Sequence, residues 1–366
     1  MILSLLLTGC WDYRGLNKLT VVTGIGLDQK SVGGEYQLSL EAVDLSMPIK
    51  ESAPKTKIVQ TEGATIFDAV RNAEKRVTNI LYFSEAQVLV IGDETARVND
   101  IDALIGWFLR YAECRETMAV VISQGAKAFD IISTEGIDQA IVSSEIRKIV
   151  ETDQKVTAST AYHELYQIYE ILQKKGVDLV LPAVHKVQNN GVMVSELNGI
   201  AIFKDKRLAG FLTPDESNAY LYATDGIKGG LLVFPFHGKK DDTTIEISSS
   251  KTKTSFRVED GKIKFKIKIE TQGFLDEHAG KEQTFGKKDI ARMEATAAAD
   301  IEHNVSNLIK KIQSEYDSDI FGFGNMIHKR DYKLWKQLED NWPALFKDIE
   351  VEVSSKVHLE NTSTMK

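Results

Sequence analysis

The amino-acid sequence predicts an α/β fold of mixed α+β order. Three observations carry that prediction. Short β-branched runs such as "LTVVTGIGLD" (Leu19 to Asp28) sit beside amphipathic stretches such as "ATIFDAVRNAEKRV" (Ala64 to Val77). After Asp260-Gly261, the apolar residues Ile263, Phe265, Ile267 and Ile269 alternate with Lys262, Lys264, Lys266 and Lys268, the period of a half-buried strand. A stripe of Ile290, Met293, Ala297, Ile301, Val305, Leu308 and Ile312 then repeats every three or four residues, the period of a helix face.

The elements follow in order. Leu19 to Asp28 and the alternating Tyr36 to Val43 flank Gly33-Gly34 and read as a hairpin. Pro48 and Pro54 mark a linker, and Lys57 to Thr61 is a third strand. Ala64 to Val77 is a helix with Ile66, Phe67, Val70, Ala73 and Val77 at helical spacing. "AQVLVIGD" (Ala86 to Asp93) is a buried strand ended by Gly92. "DIDALIGWFLRYAE" is a helix with Leu104, Ile105 and Phe108 on one side, and "TMAVVIS" is another strand. Helices are expected over Asp138 to Glu151 and Thr160 to Lys175. The second closes on Lys174-Lys175-Gly176, where basic side chains suit the helix C-terminus and glycine suits the cap.

Leu179 to Lys186 is a strand, and "NGIAIFKDKRLAGFLT" is a hairpin turning at Lys204-Asp205-Lys206. A short helix spans Pro214 to Tyr222, and Gly229 to Phe236 is a strand. Asp260-Gly261 is a two-residue hairpin turn, since both central positions of such turns favour positive φ. The long helix is expected from Lys287 to Ser314, on the order of 40 Å at about 1.5 Å per residue. "DIFGFGN" breaks the helical run, a shorter helix carries Trp335 and Leu338, and a final strand places Ile349, Val351, Val353, Val357 and Leu359 together.

The chain has 366 residues, enough for two or three domains. Its net charge of −8, with both signs mixed along the chain, argues against nucleic acid, which favours a basic excess or patch. The lysines of 262–268 form a basic strand face, read as solvated and as a guard against edge-to-edge pairing.

The cysteines are Cys10 and Cys114. Two could mean one disulfide. The stretch "LLLTGCWDYRGLN" suggests another use for the first. An apolar run leads into Leu7-Thr8-Gly9-Cys10, with small residues before the cysteine, as in a bacterial export signal that ends in a lipidation site. Residues 1–9 would be the signal and 10–18 a lipid-anchored linker. The run from Ile2 to Leu7 is short, lacks the basic region of an ordinary signal, and cannot span a bilayer. The expectation is a start further upstream. With Cys10 a thioether, Cys114 in "YAECRET" is left alone, a small packed residue with no Cys/His pairing signature around it.

No catalytic constellation is found. Gly24-Ile25-Gly26 lacks the third glycine of a dinucleotide fingerprint, and a strand follows where a phosphate-binding helix should begin. There is no Walker loop, HExxH or GxSxG. His278, with Asp276, Glu277 and Glu282, is the nearest approach to a ligand cluster and reads as a polar loop, so no metal or other cofactor is expected. "FGFG" (Phe321 to Gly324) reads as a packed turn between helices.

These motifs together resemble a known family. "GCWDYRGLNKLTVVTGIGLD", "GATIFDAVRNAEKR", "LYFSEAQVLVIGDE", "NGIAIFKDKRLAGFLTPDES" and "DIFGFGNMIHKRDYKLWKQLEDNWPALFKDIEVEV" occur in the order found in the C subunits of spore nutrient-germinant receptors, the Ger(x)C lipoproteins. The matching positions at the start are Cys10, Trp11, Asp12, Arg14, Leu16, Asn17 and Gly24 to Asp28. The resemblance implies three domains, each a β-sheet flanked by helices. It implies lipid attachment at Cys10 and tethering to the outer face of the spore inner membrane. It also implies a complex with two integral-membrane partners, an A subunit and a B subunit, that triggers germination in response to nutrients. No enzymatic activity is implied. The expected organisation is a region of 19–187, divided into two subdomains, and a C-terminal domain of 195–366. The rival reading is a substrate-binding lipoprotein of an uptake system, which should show two similar lobes and a hinge. An envelope enzyme should show a catalytic set.

Overall fold

In the computed structural model, residues 18–31, 33–43, 55–236, 243–278 and 285–360 are described. The expected signal, Cys10, the Pro48 and Pro54 linker, and Glu282 lie outside them.

The chain opens with β1 (Leu19–Gln29), β2 (Tyr36–Val43) and β3 (Thr56–Gly63), then α1 (Ile66–Ala73), β4 (Ile80–Tyr82), β5 (Val88–Ile91), α2 (Asp93–Val98) and α3 (Ile101–Arg110). It continues through β6 (Ala119–Ser123), α4 (Ala128–Ile132), α5 (Val142–Val156), α6 (Leu165–Leu172), β7 (Val180–Asn189), β8 (Val192–Lys204) and β9 (Arg207–Leu212). These strands make a nine-stranded sheet of order β3-β2-β1-β5-β6-β7-β8-β9, with β4 paired to the start of β1. The centre, β1-β5-β6-β7, is parallel and both flanks are antiparallel. A parallel centre is covered on both faces. That is why all of Val88–Ile91 and Ala119–Ser123 are buried rather than alternating.

The second sheet comes after α7 (Pro214–Ala223). It contains β10 (Leu231–Phe234), β11 (Thr243–Glu259), β12 (Lys262–His278) and, after α8 (Lys287–Lys311), α9 (Phe323–Arg330), α10 (Tyr332–Leu338) and α11 (Trp342–Lys347), the closing β13 (Glu350–Leu359). Its order is β10-β11-β12-β13. Met293, Ala297, Ile301, Val305 and Leu308 of α8 are buried with Phe265, Ile267 and Ile269 of β12, so the stripe and the alternation read from the sequence meet in one core. The mixed α+β class with helix-flanked sheets is as the sequence predicted. The resemblance implied three sheet-and-helix units; the described strands gather into two sheets.

Several boundaries differ from the sequence reading. The helix expected from Asp138 begins at Val142, because the Glu145 carboxylate accepts hydrogen bonds from the backbone N–H groups of Ile137, Asp138 and Gln139 at 2.9 Å each and holds them outside the helix. The helix expected over Thr160 to Lys175 is shortened to Leu165–Leu172, since Glu164 and Gln167 form a reciprocal cap and Glu164 bridges to Ala119. The hairpin turn at Asn190-Gly191, with φ of 49° and 92°, escaped the reading although Asn-Gly is a strong turn signal. Short β4, α2 and α4 were not anticipated, and neither was α9, which starts at Gly322 in the left-handed region.

Candidate functional site

The glycines of the Gly24-Ile25-Gly26 strand serve packing. A Cβ on Gly24 would lie 2.6 Å from Ser143 Cβ, and one on Gly26 would lie 3.3 Å from the Ala128 carbonyl carbon. The missing side chains let α5 and α4 approach the sheet. The helix N-termini brought there are already occupied. Asp28 accepts from the backbone N–H groups of Ala128 and Phe129 at 2.9 and 3.0 Å. Glu41 accepts from Val142 and Ser143 at 2.9 and 3.0 Å, and from the Thr23 hydroxyl at 3.0 Å. Both acids are buried, and burial raises the Asp28 pKa against the pull of its two N–H donors. The protein's own carboxylates thus fill the anion positions that a phosphate would need.

A third buried acid, Asp319, joins the two halves. Asp319, in "DIFGFGN", accepts from the N–H groups of Phe323 and Gly324 at 3.0 and 2.8 Å and from the Trp342 indole at 3.1 Å. Complete burial pushes its pKa up to about 7; the three donors lower it and neighbouring Asp178 raises it further. The Asp178 carboxylate accepts from the Asp319 N–H at 2.9 Å and the Ser318 hydroxyl at 3.1 Å, with Lys204 Nζ at 3.9 Å. Asn325 donates to the carbonyls of Gly176 and Lys175. Glycine is required on both sides of this joint, since a Cβ on Gly176 would lie 2.6 Å from the Gly324 backbone and Gly176 itself has φ +64°. "FGFG" is therefore a packed turn that clamps the loop before β7.

A cleft of about 1740 Å³ lies between α5 and the β7–β8 hairpin on one side and α7, α8 and β10 on the other. Lys311 and Glu216 pair at 2.6 Å and tie α8 to α7 along it. Exposed Val156, Leu231 and Val233 give it an apolar wall, and Asp138, Asp215 and Glu315 give it an acidic margin. Sequence reading missed the cleft, because its walls come from separate elements of the chain, α5 and the β7–β8 hairpin on one side and α7, α8 and β10 on the other. It also missed Glu41 and Asp319. The available signal for Glu41 was a charged residue inside a strand whose positions 38 to 42 are all buried.

The remaining candidates are inert or structural. Cys114 is buried, and desolvation raises its pKa to about 12, which keeps it a thiol. Lys264 pairs with Glu350 at 3.0 Å and Lys266 with Glu352, each its register partner across the parallel β12–β13 ladder. The lysine face is a solvated sheet surface with cross-strand ion pairs. Among the described residues no group of three or more His, Cys, Asp and Glu is placed to hold a metal. His278 ends β12, and Glu282 is outside the described residues. Among the described residues no helix is long and apolar enough to cross a membrane.

Comparison with known proteins accounts for nearly the whole chain. Residues 12–186 match the family model described as the spore germination protein N-terminal domain, and residues 198–363 match that described as spore germination B3/GerAC like, C-terminal. Spore germination protein KC of Bacillus subtilis (strain 168) is 22% identical, with 99% of this chain and 94% of that protein covered. Spore germination protein B3 of the same organism is 24% identical over 96% of this chain and 94% of that protein. Spore germination protein A3, also from that organism, is 26% identical over 93% and 90%. The crystal structure of the GerBC protein superposes with a TM-score of 0.60 at 20% identity, covering 92% of this chain and 97% of that one, which shows a shared fold. With both halves matched in order, the chain belongs to the Ger(x)C family of spore germination proteins.

Proposed function

We propose that this protein is the C subunit of a spore germinant receptor, required for nutrient-triggered germination and acting without catalysis of its own. The observation that carries the reading is the ordered match of two spore-germination family models along 12–186 and 198–363. Cys10 is its lipid attachment point, supported by Leu7-Thr8-Gly9-Cys10. One acyl chain holds a protein only marginally, and a diacylglyceryl cysteine supplies two. The link from Trp11 to Lys18 reaches at most roughly 29 Å at about 3.6 Å per residue. The nine-stranded sheet then sits near the outer face of the spore inner membrane, within reach of integral-membrane A and B subunits. The occupied helix N-termini at Asp28 and Glu41 and the neutral thiol of Cys114 support a non-enzymatic role.

Replacing Cys10 by Ala tests the anchor. The variant is expected to lose incorporation of labelled palmitate and to weaken nutrient-triggered germination while its folded body is retained. Continued labelling of Cys10→Ala would remove the lipoprotein reading.

The cleft gives the substrate-binding lipoprotein one favourable observation. Its two walls argue the other way, since a nine-stranded mixed sheet and a four-stranded sheet are not similar lobes. Calorimetric titration of the protein with amino acids and sugars is expected to show no saturable heat. A saturable signal lost on filling the cleft would favour the solute binder.

A further inference from the structure

We propose that the cleft between α5 and α7–α8 is the docking groove for an extended, lysine- or arginine-bearing segment of a partner protein. Size decides first between a small molecule and a polypeptide. Pockets for small ligands run roughly 300–1,000 Å³ and enclose most of the ligand. This cleft, at about 1740 Å³, is larger.

The shape of one wall supports an extended occupant. β10 is an edge strand, with β11 as its sheet neighbour among the described residues. Leu232 and Phe234 point into the core, while Leu231 and Val233 are 45% and 43% exposed toward the cleft side. Across from them Val156 at the end of α5 is 55% exposed. An extended segment laid along an edge strand gains main-chain hydrogen bonds, and alternate side chains supply selectivity. Gly229 and Gly230 hold the start of β10 against the end of α5, so the apolar residues of the two elements are neighbours: a Cβ on Gly229 would lie 2.5 Å from the Lys155 carbonyl oxygen.

Charge then selects the occupant. Of the charged side chains lining the cleft, Glu145 and Asp153 are consumed by local backbone N–H groups, Glu216 is paired with Lys311, Glu196 is held by His185, and Asp300 accepts from Asn304. Exposed Asp138, Asp215 and Glu315 remain on the margin, opposed by Lys148. The excess is acidic, and like charge across an interface costs energy, so an acidic segment is disfavoured and a cationic one is drawn in. Because α5 lies in the first family match and α7, α8 and β10 in the second, a bound segment would touch both halves. The inference does not require the receptor reading; that reading only says where the partner is to be found.

The test is site-specific photocrosslinking in the full chain. A benzoylphenylalanine at Val233 or Val156, in spores of the native host, is expected to capture one protein at a segment that mass spectrometry shows to be rich in Lys or Arg. The double variant Asp138→Lys/Glu315→Lys should reduce the crosslinked product at least tenfold. Glu170→Lys/Asp276→Lys, equally charge-changing and away from the cleft, should leave it unchanged, and circular dichroism of both variants controls for folding. A captured segment without basic residues, a crosslink to this chain itself or to a second copy, no crosslink, or equal loss in both double variants would overturn the proposal. Capture of a basic segment from a protein other than a receptor subunit would uphold the groove and count against the receptor reading.

Discussion

Gly24 and Glu41 face each other across the β1–β2 ladder, and both are committed to the same helix end. Gly24 leaves the space that Ser143 occupies, and Glu41 accepts the first free N–H groups of α5 from Val142 and Ser143. Glu41→Ala leaves those donors buried and unpaired and should cost about 2–3 kcal/mol. Gly24→Ala drives a Cβ into Ser143 and should cost about 1–3 kcal/mol by overpacking. Because both act through Ser143, the double variant should depart from additivity by more than about 0.5 kcal/mol in urea unfolding. Additive costs would show that the pair does not share the helix.

Asp319 makes the joint between the halves pH-sensitive. Its pKa is raised to about 7 in the folded protein from an ordinary carboxylate value near 4 when unfolded. Between those values the folded state holds the extra proton, so this group's contribution is full below about pH 4 and is lost as pH rises through 7. Asp319→Asn cannot titrate. The stability gap between wild type and Asp319→Asn, from guanidinium midpoints, should be larger at pH 5 than at pH 8. A gap that grows with pH would reverse the assignment.

The lysine face of β12 should be tolerant. Lys264 and Lys266 are partly exposed, and their partners Glu350 and Glu352 are more so. Exposed pairs contribute little to stability, because solvent screens them. Lys264→Gln/Lys266→Gln should keep both the fold and germination. Lost germination at normal protein level would mark this face as an interface.

Cys114 should resist thiol reagents. With its pKa at about 12, the thiolate is scarce near pH 8. In the Cys10→Ala background, native protein is expected to react with a disulfide reagent only after denaturant is added. Rapid native labelling would mean that the site opens.

How much of this was legible follows from the range of the interactions. The long helix and the alternating strand of 262–269 were readable because their periodicity is local and one face of each is buried. The start of α5 was not readable. Three backbone N–H groups were taken by Glu145, a competition that apolar spacing does not record. Family membership was legible as an ordered set of motifs. The cleft was not, since Val156 and Val233, on a helix and a strand of different halves, come to line it only through tertiary packing.

The clamp of Asp319 on the loop before β7 has a consequence for the order of assembly. Asp178 and Asp319 are separated by 141 positions, and the Trp342 indole that completes the clamp comes later still. Contacts of such long range form late, after the loop-closure entropy has been met. A chain emerging N-terminus first can build the strands of the large sheet but cannot lock the Gly176 loop until the last quarter of the polypeptide has appeared. Nascent chains stopped before Trp342 should therefore keep that loop open to proteases, while chains that extend past it acquire a protected loop in a single late step.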